Sequence, residues 1–201
     1  MLETATNTAT STGTSARRAM IDSQLRTSGV NAPFVLSRMN AVAREDFVPP
    51  AMRATAYMDR AIRLADNGAL PAPLVQGMIL QEAAPKGDEV AVVVSHCGYL
   101  AELLRPLVAE VIELSPEEAT MSGAKGNKAD LLLVDGAAEE LPKNLLARLA
   151  EDARIVTGTV DGSVTRLAIG RKTDGKAALF PVQDIGMPRM AQFDAPKGWS
   201  F

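Results

Sequence analysis

The stretch that decides the fold runs from Glu89 to Tyr99 and reads EVAVVVSHCGY. Its first half is a continuous apolar run rich in β-branched residues, and its second half is a polar loop that ends in glycine. An apolar run without polar alternation is typical of a strand that is covered on both faces, so we expect a central parallel strand here. The loop after it would then lie at the carboxyl end of the sheet, where α/β proteins bind ligands.

Three further stretches have the same character and alternate with helical patterns. They are Ala109–Leu114, Ala129–Asp135 and Ala153–Val160. Short apolar strands separated by helices predict an α/β fold around a parallel sheet. Near the end of the chain, Val164–Arg171 and Ala177–Val182 flank the turn Thr173-Asp174-Gly175, a pattern that predicts an antiparallel hairpin.

The first 88 residues have a different character, because helical spacing and loop signals dominate. The pattern predicts helices at Ala16–Arg26, Ala32–Ala43 (with Asn31 as its cap) and Pro73–Ala84, a break at Phe47–Pro50, one turn at Ala51–Tyr57 and a loop at Asp66–Pro73. Residues 1–15, with threonine at every even position from Thr4 to Thr14, predict a disordered low-complexity tail. We therefore expect one domain at 16–201, divided into a helical cap (16–88), a parallel sheet core (89–160) and a hairpin with a C-terminal tail (161–201).

Composition excludes several classes of partner. A net charge of −3, with 21 Lys and Arg among 201 residues, argues against the clustered cations that nucleic-acid binding needs. The longest apolar runs, Val90–Val94 and Leu131–Val134, are far shorter than a membrane span. A single cysteine, Cys97, cannot form an internal disulfide, and Met1–Ser15 has no secretory signature. These features predict a cytoplasmic protein without a transmembrane segment.

Four segments carry a resemblance to a known family. They are Met20–Ala61 (MIDSQLRTSGVNAPFVLSRMNAVAREDFVPPAMRATAYMDRA), GDEVAVVVSHCGYLAELL from Gly87, DLLLVDGAAEELP from Asp130, and the ending FDAPKGWSF. Together they resemble the protein-L-isoaspartate O-methyltransferases. The resemblance implies a three-layer Rossmann-like sandwich that uses S-adenosylmethionine to methylate isoaspartyl carboxylates in damaged proteins.

The loop that binds the cofactor in this family departs from the family pattern. The family reads E-x-G-x-G-x-G-Y, whose glycines let the backbone approach the cofactor; here only Gly98 and Tyr99 match. Val94 and His96 replace the first two glycines. We expect each misfit to cost about 1 to 3 kcal/mol through clash or backbone strain, which would weaken cofactor binding.

Two acidic residues at strand ends allow two interpretations each. By resemblance, Glu113 accepts the ribose hydroxyls of the cofactor; alternatively it belongs to the acidic start of the helix that follows, the reading we favour. Asp135 lies at the carboxyl end of a strand, where a ligand would bind, but Asp135-Gly136 is also a strong turn signal. For Asp135 we favour the role of a turn cap.

The interval from Leu114 to Lys128 is too short for the family's topology. It holds 15 residues, whereas a parallel crossover alone takes about a dozen or more, so the family's third strand does not fit. By resemblance that strand carries the acidic residue that recognises adenine, so we expect the adenine pocket to be lost. Its loss also leaves Ala109–Glu113 as an open sheet edge, which another chain or the N-terminal tail could cover by strand addition.

The family's substrate loop, which resembles GQTISQP, is also altered. Here Asn67–Pro73 reads NGALPAP and lacks the Thr, Ser and Gln side chains that would hold a carboxylate. We regard Gly68, Leu70, Pro71 and Pro73 as the vestige of that loop. His96 and Cys97 are adjacent but have no third group to orient them as a catalytic pair, and no ligand spacing indicates a metal site.

Three functions compete. The degraded motifs favour a catalytically inactive member of the family that acts as a protein-binding accessory subunit, for example of an energy-metabolism complex, and that needs no cofactor. The alternative is an active S-adenosylmethionine-dependent methyltransferase. A third possibility is a sensor that binds an adenosyl ligand through Glu113 without turnover.

Overall fold

The computed structural model describes residues 13–122 and 128–195, which form an α/β structure around a six-stranded sheet. The sheet contains β3 (Val90–Val94), β4 (Glu110–Leu114), β5 (Ala129–Ala138), β6 (Leu149–Asp161), β7 (Val164–Thr173) and β8 (Lys176–Asp184), in the order β4-β3-β5-β6-β7-β8. The first four strands are parallel, and β6, β7 and β8 are antiparallel to one another. The predicted parallel core and the terminal hairpin are both confirmed.

Helices and short strands complete the fold. The helices are α1 (13–20, continued by a π-helical turn at Ile21–Leu25), α2 (Pro33–Ala41), α3 (Pro73–Ala83), α4 (Tyr99–Leu104), α5 (Pro116–Thr120) and α6 (Lys143–Leu146). A two-stranded antiparallel sheet pairs β1 (Ile62–Arg63) with β2 (Ala69–Leu70). Short 3₁₀ turns lie at Arg26–Ser28, Arg44–Phe47, Pro50–Thr55, Ala65–Asn67, Arg105–Leu107 and Ala191–Phe193.

The central sheet is covered on both faces because successive residues of β3 point to opposite sides. Ala91 and Val93 belong to a core that is shared with the N-terminal helices, whereas Val92 and Val94 belong to a second core that includes Leu145 of α6. All four of these β3 side chains are fully buried. The continuous apolar run therefore has the structural role that the sequence predicts.

Two details of the N-terminal region differ from the sequence-based predictions. The first helix begins at residue 13, inside the segment predicted to be a tail; residues 1–12 lie outside the described part of the chain. The predicted Asn31 cap is wrong: the cap position of α2 is Ala32, followed by Pro33, and no side chain caps it. Instead, Gln81 Oε1 accepts the backbone N–H groups of Asn31 and Ala32, so α3 anchors the start of α2.

The connection from β4 to β5 is as short as the residue count predicts. Between the two strands, the described residues hold α5 and no strand, and β4 pairs with β3 alone at the edge of the sheet. Ser115 and Glu118 start α5 with a reciprocal capping box, in which each side chain accepts the other residue's backbone N–H. Across residues 13–122 and 128–195, every helix is too short or too polar to cross a membrane.

Candidate functional site

The glycine loop, residues 95–98, connects β3 to α4. Gly98 has φ +74°, a left-handed conformation that favours glycine, and α4 begins at the next residue. Ser95 fixes both ends of the loop, because its N–H donates to the carbonyl of Leu114 and its hydroxyl oxygen accepts the N–H of Gly98 at 3.0 Å. The loop is thereby held at the carboxyl ends of β3 and β4.

The two residues that replace family glycines do not strain this backbone, contrary to the sequence-based prediction. Neither Val94 nor His96 has a positive φ. Val94 lies within β3, opposite Leu114 and Val134, and its side chain is buried in the apolar core. Val94 therefore fits within β3. Of the two residues that replace family glycines, only His96 lies in the glycine loop itself.

Glu113 lies directly against the glycine loop. A Cβ atom placed on Gly98 would come within 2.5 Å of Glu113 Oε1, so the contact requires glycine at this position. Glu113 also forms a 3.1 Å ion pair with Arg105, in which both side chains are largely exposed and contribute little stability. The predicted helix-start role is wrong for Glu113, since Ser115 and Glu118 form that cap.

An open cleft of about 380 Å³ lies above this contact. Its lining residues come from the glycine loop and from the segment between β4 and α5: Ser95, His96, Cys97, Gly98, Glu113, Ser115 and Glu118. Among the described residues, the lining contains two carboxylates and no Lys or Arg, and Arg105 pairs with Glu113 from outside the lining. Such a cleft suits a neutral or cationic ligand with hydroxyl groups better than a phosphorylated one.

The segment predicted to be the vestigial substrate loop, residues 67–73, is mostly buried. Leu70 and Pro71 face the core side, and Pro73 is the first residue of α3. Gly68 lies against His96, where an added Cβ would come within 2.9 Å of the imidazole Cγ and Nδ1 atoms. Residues 67–73 therefore meet the glycine loop, which lines the cleft, at a contact between the His96 imidazole and Gly68.

The environment of His96 and Cys97 sets their protonation. Burial lowers the pKa of His96, and the Glu117 carboxylate offsets part of this effect, so the imidazole is neutral at pH 7. Burial, with a further contribution from the Asp135 charge, raises the pKa of the Cys97 thiol to about 12. Cys97 is thus a protonated thiol and a poor nucleophile.

Asp135 is the most strongly perturbed carboxyl group near the cleft. It lies inside β5, which continues through Gly136, and it is only 2% exposed, so the predicted turn-cap role is wrong. Burial raises its pKa to about 7, and this rise is opposed by a hydrogen bond from Gln76 and by the charge of Arg44. Gln76 Nε2 donates to Asp135 Oδ2 at 2.6 Å, and Oδ1 has no hydrogen-bond partner among the described residues.

Arg44 occupies the centre of this buried network. It is fully buried and donates hydrogen bonds to Gln76 Oε1 and to the backbone carbonyls of Ala56 and Pro71. Its guanidinium lies 5.0 Å from the centre of the Tyr99 ring. Sequence reasoning missed both Arg44 and Gln76, although Arg44 lies inside the matched segment VAREDFVPP.

The C-terminal strap, residues 185–195, crosses the carboxyl end of β5. A Cβ on Gly136 would come within 2.9 Å of the Pro188 carbonyl oxygen and of Met190, so the strap lies directly on this strand. Gln192 donates a 2.6 Å hydrogen bond to Glu117 of α5, which ties the strap to the cleft side of the sheet. The strap therefore covers β5, and in the described part of the chain it does not extend over the ends of β3 and β4.

The structure thus separates the predicted site residues into two groups. Gly98 and Glu113 line the cleft, and Gly68 contacts it through His96. Tyr99 and Asp135 are buried in the interior, where Tyr99 packs edge-on against Phe47 at 5.2 Å.

Comparison with known proteins identifies relatives of the whole chain. Residues 15–120 match the family model for protein-L-isoaspartate(D-aspartate) O-methyltransferase. Protein-L-isoaspartate O-methyltransferase 2 of Anaeromyxobacter sp. (strain Fw109-5) is 31% identical over 208 residues, covering 89% of this chain and 86% of the relative. The protein-L-isoaspartate O-methyltransferase of Gloeobacter violaceus is 29% identical over 202 residues, with 85% and 97% covered.

Solved structures show the same fold. A putative protein-L-isoaspartate O-methyltransferase from Plasmodium falciparum, in complex with S-adenosyl-L-homocysteine, superposes with a TM-score of 0.70 at 16% identity and covers 90% of this chain and 98% of its own. A second protein-L-isoaspartate O-methyltransferase gives a TM-score of 0.69 at 12% identity, with 89% and 67% covered. The predicted Rossmann-like methyltransferase fold is confirmed.

Proposed function

The chain belongs to the protein-L-isoaspartate(D-aspartate) O-methyltransferase family, and from this premise we propose that it transfers a methyl group from S-adenosylmethionine to a carboxylate. The isoaspartyl carboxylate of damaged proteins is the acceptor that the names of its relatives indicate. The observation that carries the proposal is the position of Glu113 on Gly98, at the mouth of the open cleft.

Glu113 has the chemistry that a ribose requires. An ionised carboxylate has two oxygens that each accept hydrogen bonds, and adjacent ribose hydroxyls are a matched pair of donors. Gly98 lacks the Cβ that would fill the space beside these oxygens. The residues at this end of the cleft therefore fit the ribose of an S-adenosyl nucleoside.

The charge of the cleft supports the same ligand class. Glu113 and Glu118 line it with no Lys or Arg among the described lining residues, and Arg105 pairs with Glu113 from outside the lining, so the lining offers a phosphate group no cationic partner. S-adenosylmethionine has a positively charged sulfonium and supplies the electrophilic methyl group. A carboxylate acceptor needs no base, so the neutral His96 imidazole is not required to remove a proton.

Calorimetric titration with S-adenosylhomocysteine tests the binding step. We expect binding by the native protein and an affinity about tenfold weaker for Glu113→Gln, because the variant loses a charge-assisted acceptor. Glu110→Gln is the matched control, since Glu110 is an exposed carboxylate on the same strand outside the cleft lining. Absence of heat with millimolar ligand contradicts the proposal.

Transfer itself is tested with a radiolabelled methyl donor and a pair of peptides that differ only in one isoaspartyl or aspartyl linkage. We expect incorporation into the isoaspartyl peptide alone. Binding of S-adenosylhomocysteine without incorporation into either peptide would favour the sensor function and contradict methyl transfer to this acceptor.

A second candidate function is a non-catalytic, protein-binding subunit, and two observations favour it. His96 occupies the space between the two loops, against Gly68, and residues 67–73 offer no hydroxyl or primary-amide side chain other than that of Asn67. In the described part of the chain, β4 has a strand neighbour on one side only. Such an edge can accept a strand from a partner protein.

Purification of the native complex from its host, followed by identification of co-eluting proteins, tests this second candidate. The lone Cys97 is consistent with a reducing compartment, so we propose the cytoplasm as the place to look. A protein that elutes alone and binds S-adenosylhomocysteine would contradict the subunit role.

A further inference from the structure

The buried guanidinium of Arg44 contacts two segments, residues 67–73 and the start of α4, which follows the glycine loop. It donates a hydrogen bond to the carbonyl oxygen of Pro71, in residues 67–73. It also lies 5.0 Å from the centre of the Tyr99 ring, and Tyr99 directly follows Gly98 of the glycine loop. Arg44 therefore contacts both residues 67–73 and α4, the helix that follows the glycine loop.

Gln76 extends these contacts to the central sheet. Arginine has only hydrogen-bond donors, so the Gln76 oxygen must face Arg44, and this leaves the amide nitrogen facing Asp135 of β5. All three side chains are buried. One polar network thus connects residues 67–73 with α3, α4 and the end of β5.

We infer that Arg44 is the positioning residue that holds residues 67–73 against the glycine loop, and that Gln76 and Asp135 hold its guanidinium in place. The planar fork of donors is satisfied by Ala56, Pro71 and Gln76 together, which leaves it little freedom to rotate. Arg44 is fully buried and does not line the cleft, so it acts through the segments that it contacts.

The contact between His96 and Gly68 depends on how Arg44 positions residues 67–73 relative to the glycine loop. Gly68 lies three residues before Pro71, and His96 lies three residues before Tyr99, so the two Arg44-bound segments meet at this contact. The inference rests on the proposed function only for the role of these loops in methyl transfer. Its test needs no ligand, so it can fail while the proposed function holds.

Thiol labelling of the ligand-free protein tests the inference, because Cys97 is the chain's single cysteine and lies in the glycine loop. Lysine cannot reproduce the fork of arginine, so we expect Arg44→Lys to raise the rate at which Cys97 reacts with a disulfide reagent about tenfold. Arg38→Lys is the matched control: Arg38 donates to the carbonyls of Glu102 and Leu103 later in α4, and none of its described hydrogen bonds reaches residues 67–73 or 95–98. Equal rates in the two folded variants overturn the inference.

Proton NMR of His96 gives a second, independent reading, since the chain has one histidine. In Arg44→Lys we expect the pKa of His96 to rise toward its ordinary value, because the imidazole loses its cover. If Arg44→Lys does not fold, Gln76→Met removes one support of the guanidinium at similar volume, and we expect about a threefold rise in Cys97 labelling. An unchanged His96 titration and labelling rate in a folded variant would overturn the inference.

Discussion

The imidazole of His96 lies on the backbone of Gly68, so close that one added carbon atom at Gly68 would come within 2.9 Å of the ring. His96 belongs to the glycine loop, and Gly68 belongs to the turn between β1 and β2. The pair therefore sets the separation of this turn from the glycine loop, which lines the cleft.

Gly68→Ala should push the imidazole away from its position. Contacts near 2.9 Å are far inside the ordinary distance between carbon atoms, so either the ring or the turn must move. We expect the pKa of His96 to rise toward its ordinary value as the ring gains solvent, which the single histidine signal measures by NMR. Gly87→Ala is the control, because an added Cβ at Gly87 meets no atom within 4 Å; a shift of the same size in both variants would contradict the packing argument.

His96→Gly should widen the cleft on the side where the imidazole lies against Gly68. The half-buried ring fills space between the loops, and relief of such packing against a ligand is worth about 1 to 3 kcal/mol, so we expect S-adenosylhomocysteine to bind about tenfold more tightly. Calorimetric titration beside the native protein measures the change. An affinity that stays the same or falls would show that the imidazole does not obstruct the site.

The buried Asp135 should make stability depend on pH. Its folded-state pKa, raised to about 7 by burial, lies above the unfolded value of 3.8, so the folded protein retains a proton that the unfolded chain releases. The contribution to stability is complete below pH 3.8 and is lost as the pH rises toward 7. Relative to Asp135→Asn, we expect the native protein to lose about 3 kcal/mol of unfolding free energy from about pH 4.5 to about pH 7.5.

Urea denaturation of both proteins across this pH range measures the effect, and the comparison cancels the contribution of His96. A difference between the two proteins that is independent of pH would mean that Asp135 is ionised throughout, and it would contradict the desolvation argument.

The outer edge of β4 should exchange its amide protons rapidly in the isolated protein. Amide groups of successive strand residues point to opposite edges, so of Val111 and Ile112 one should be protected by β3 and the other should exchange fast. Hydrogen exchange followed by NMR resolves the two positions. Strong protection of both amides in the isolated chain would show that the edge is already covered and would remove the need for a partner strand.

The sequence was sufficient for the parallel core because the pattern of β3 depends on local composition. The run from Val90 to Val94 has no polar residue, and only a doubly covered strand buries Ala91 to Val94 completely. Among the described residues between β4 and β5, the absence of a further strand also agrees with the short length of chain there. These predictions needed no knowledge of side-chain partners.

The roles of Glu113 and Asp135 could not be predicted in the same way. A turn cap and a buried strand carboxylate both suit the sequence Asp135-Gly136, and the difference depends on Gln76, which is 59 residues away. Glu113 faces Gly98 because β4 pairs in register with β3, a long-range relationship that local helix-start signals do not contain. The prediction for Val94 rests on the glycine that the family has at this position, whereas the environment of Val94 depends on its pairing with Leu114 and Val134.

The strap over Gly136 gives the carboxyl edge of the sheet one closed end. Pro188 and Met190 of the strap cover β5, and the Gln192 hydrogen bond to Glu117 anchors the strap beside the cleft. Within the described chain, an open cleft lies beside the strap at the ends of β3 and β4. If the proposed methyl transfer takes place there, the spent donor has to leave this cleft before the next one binds, so product release would limit the rate of repeated turnover.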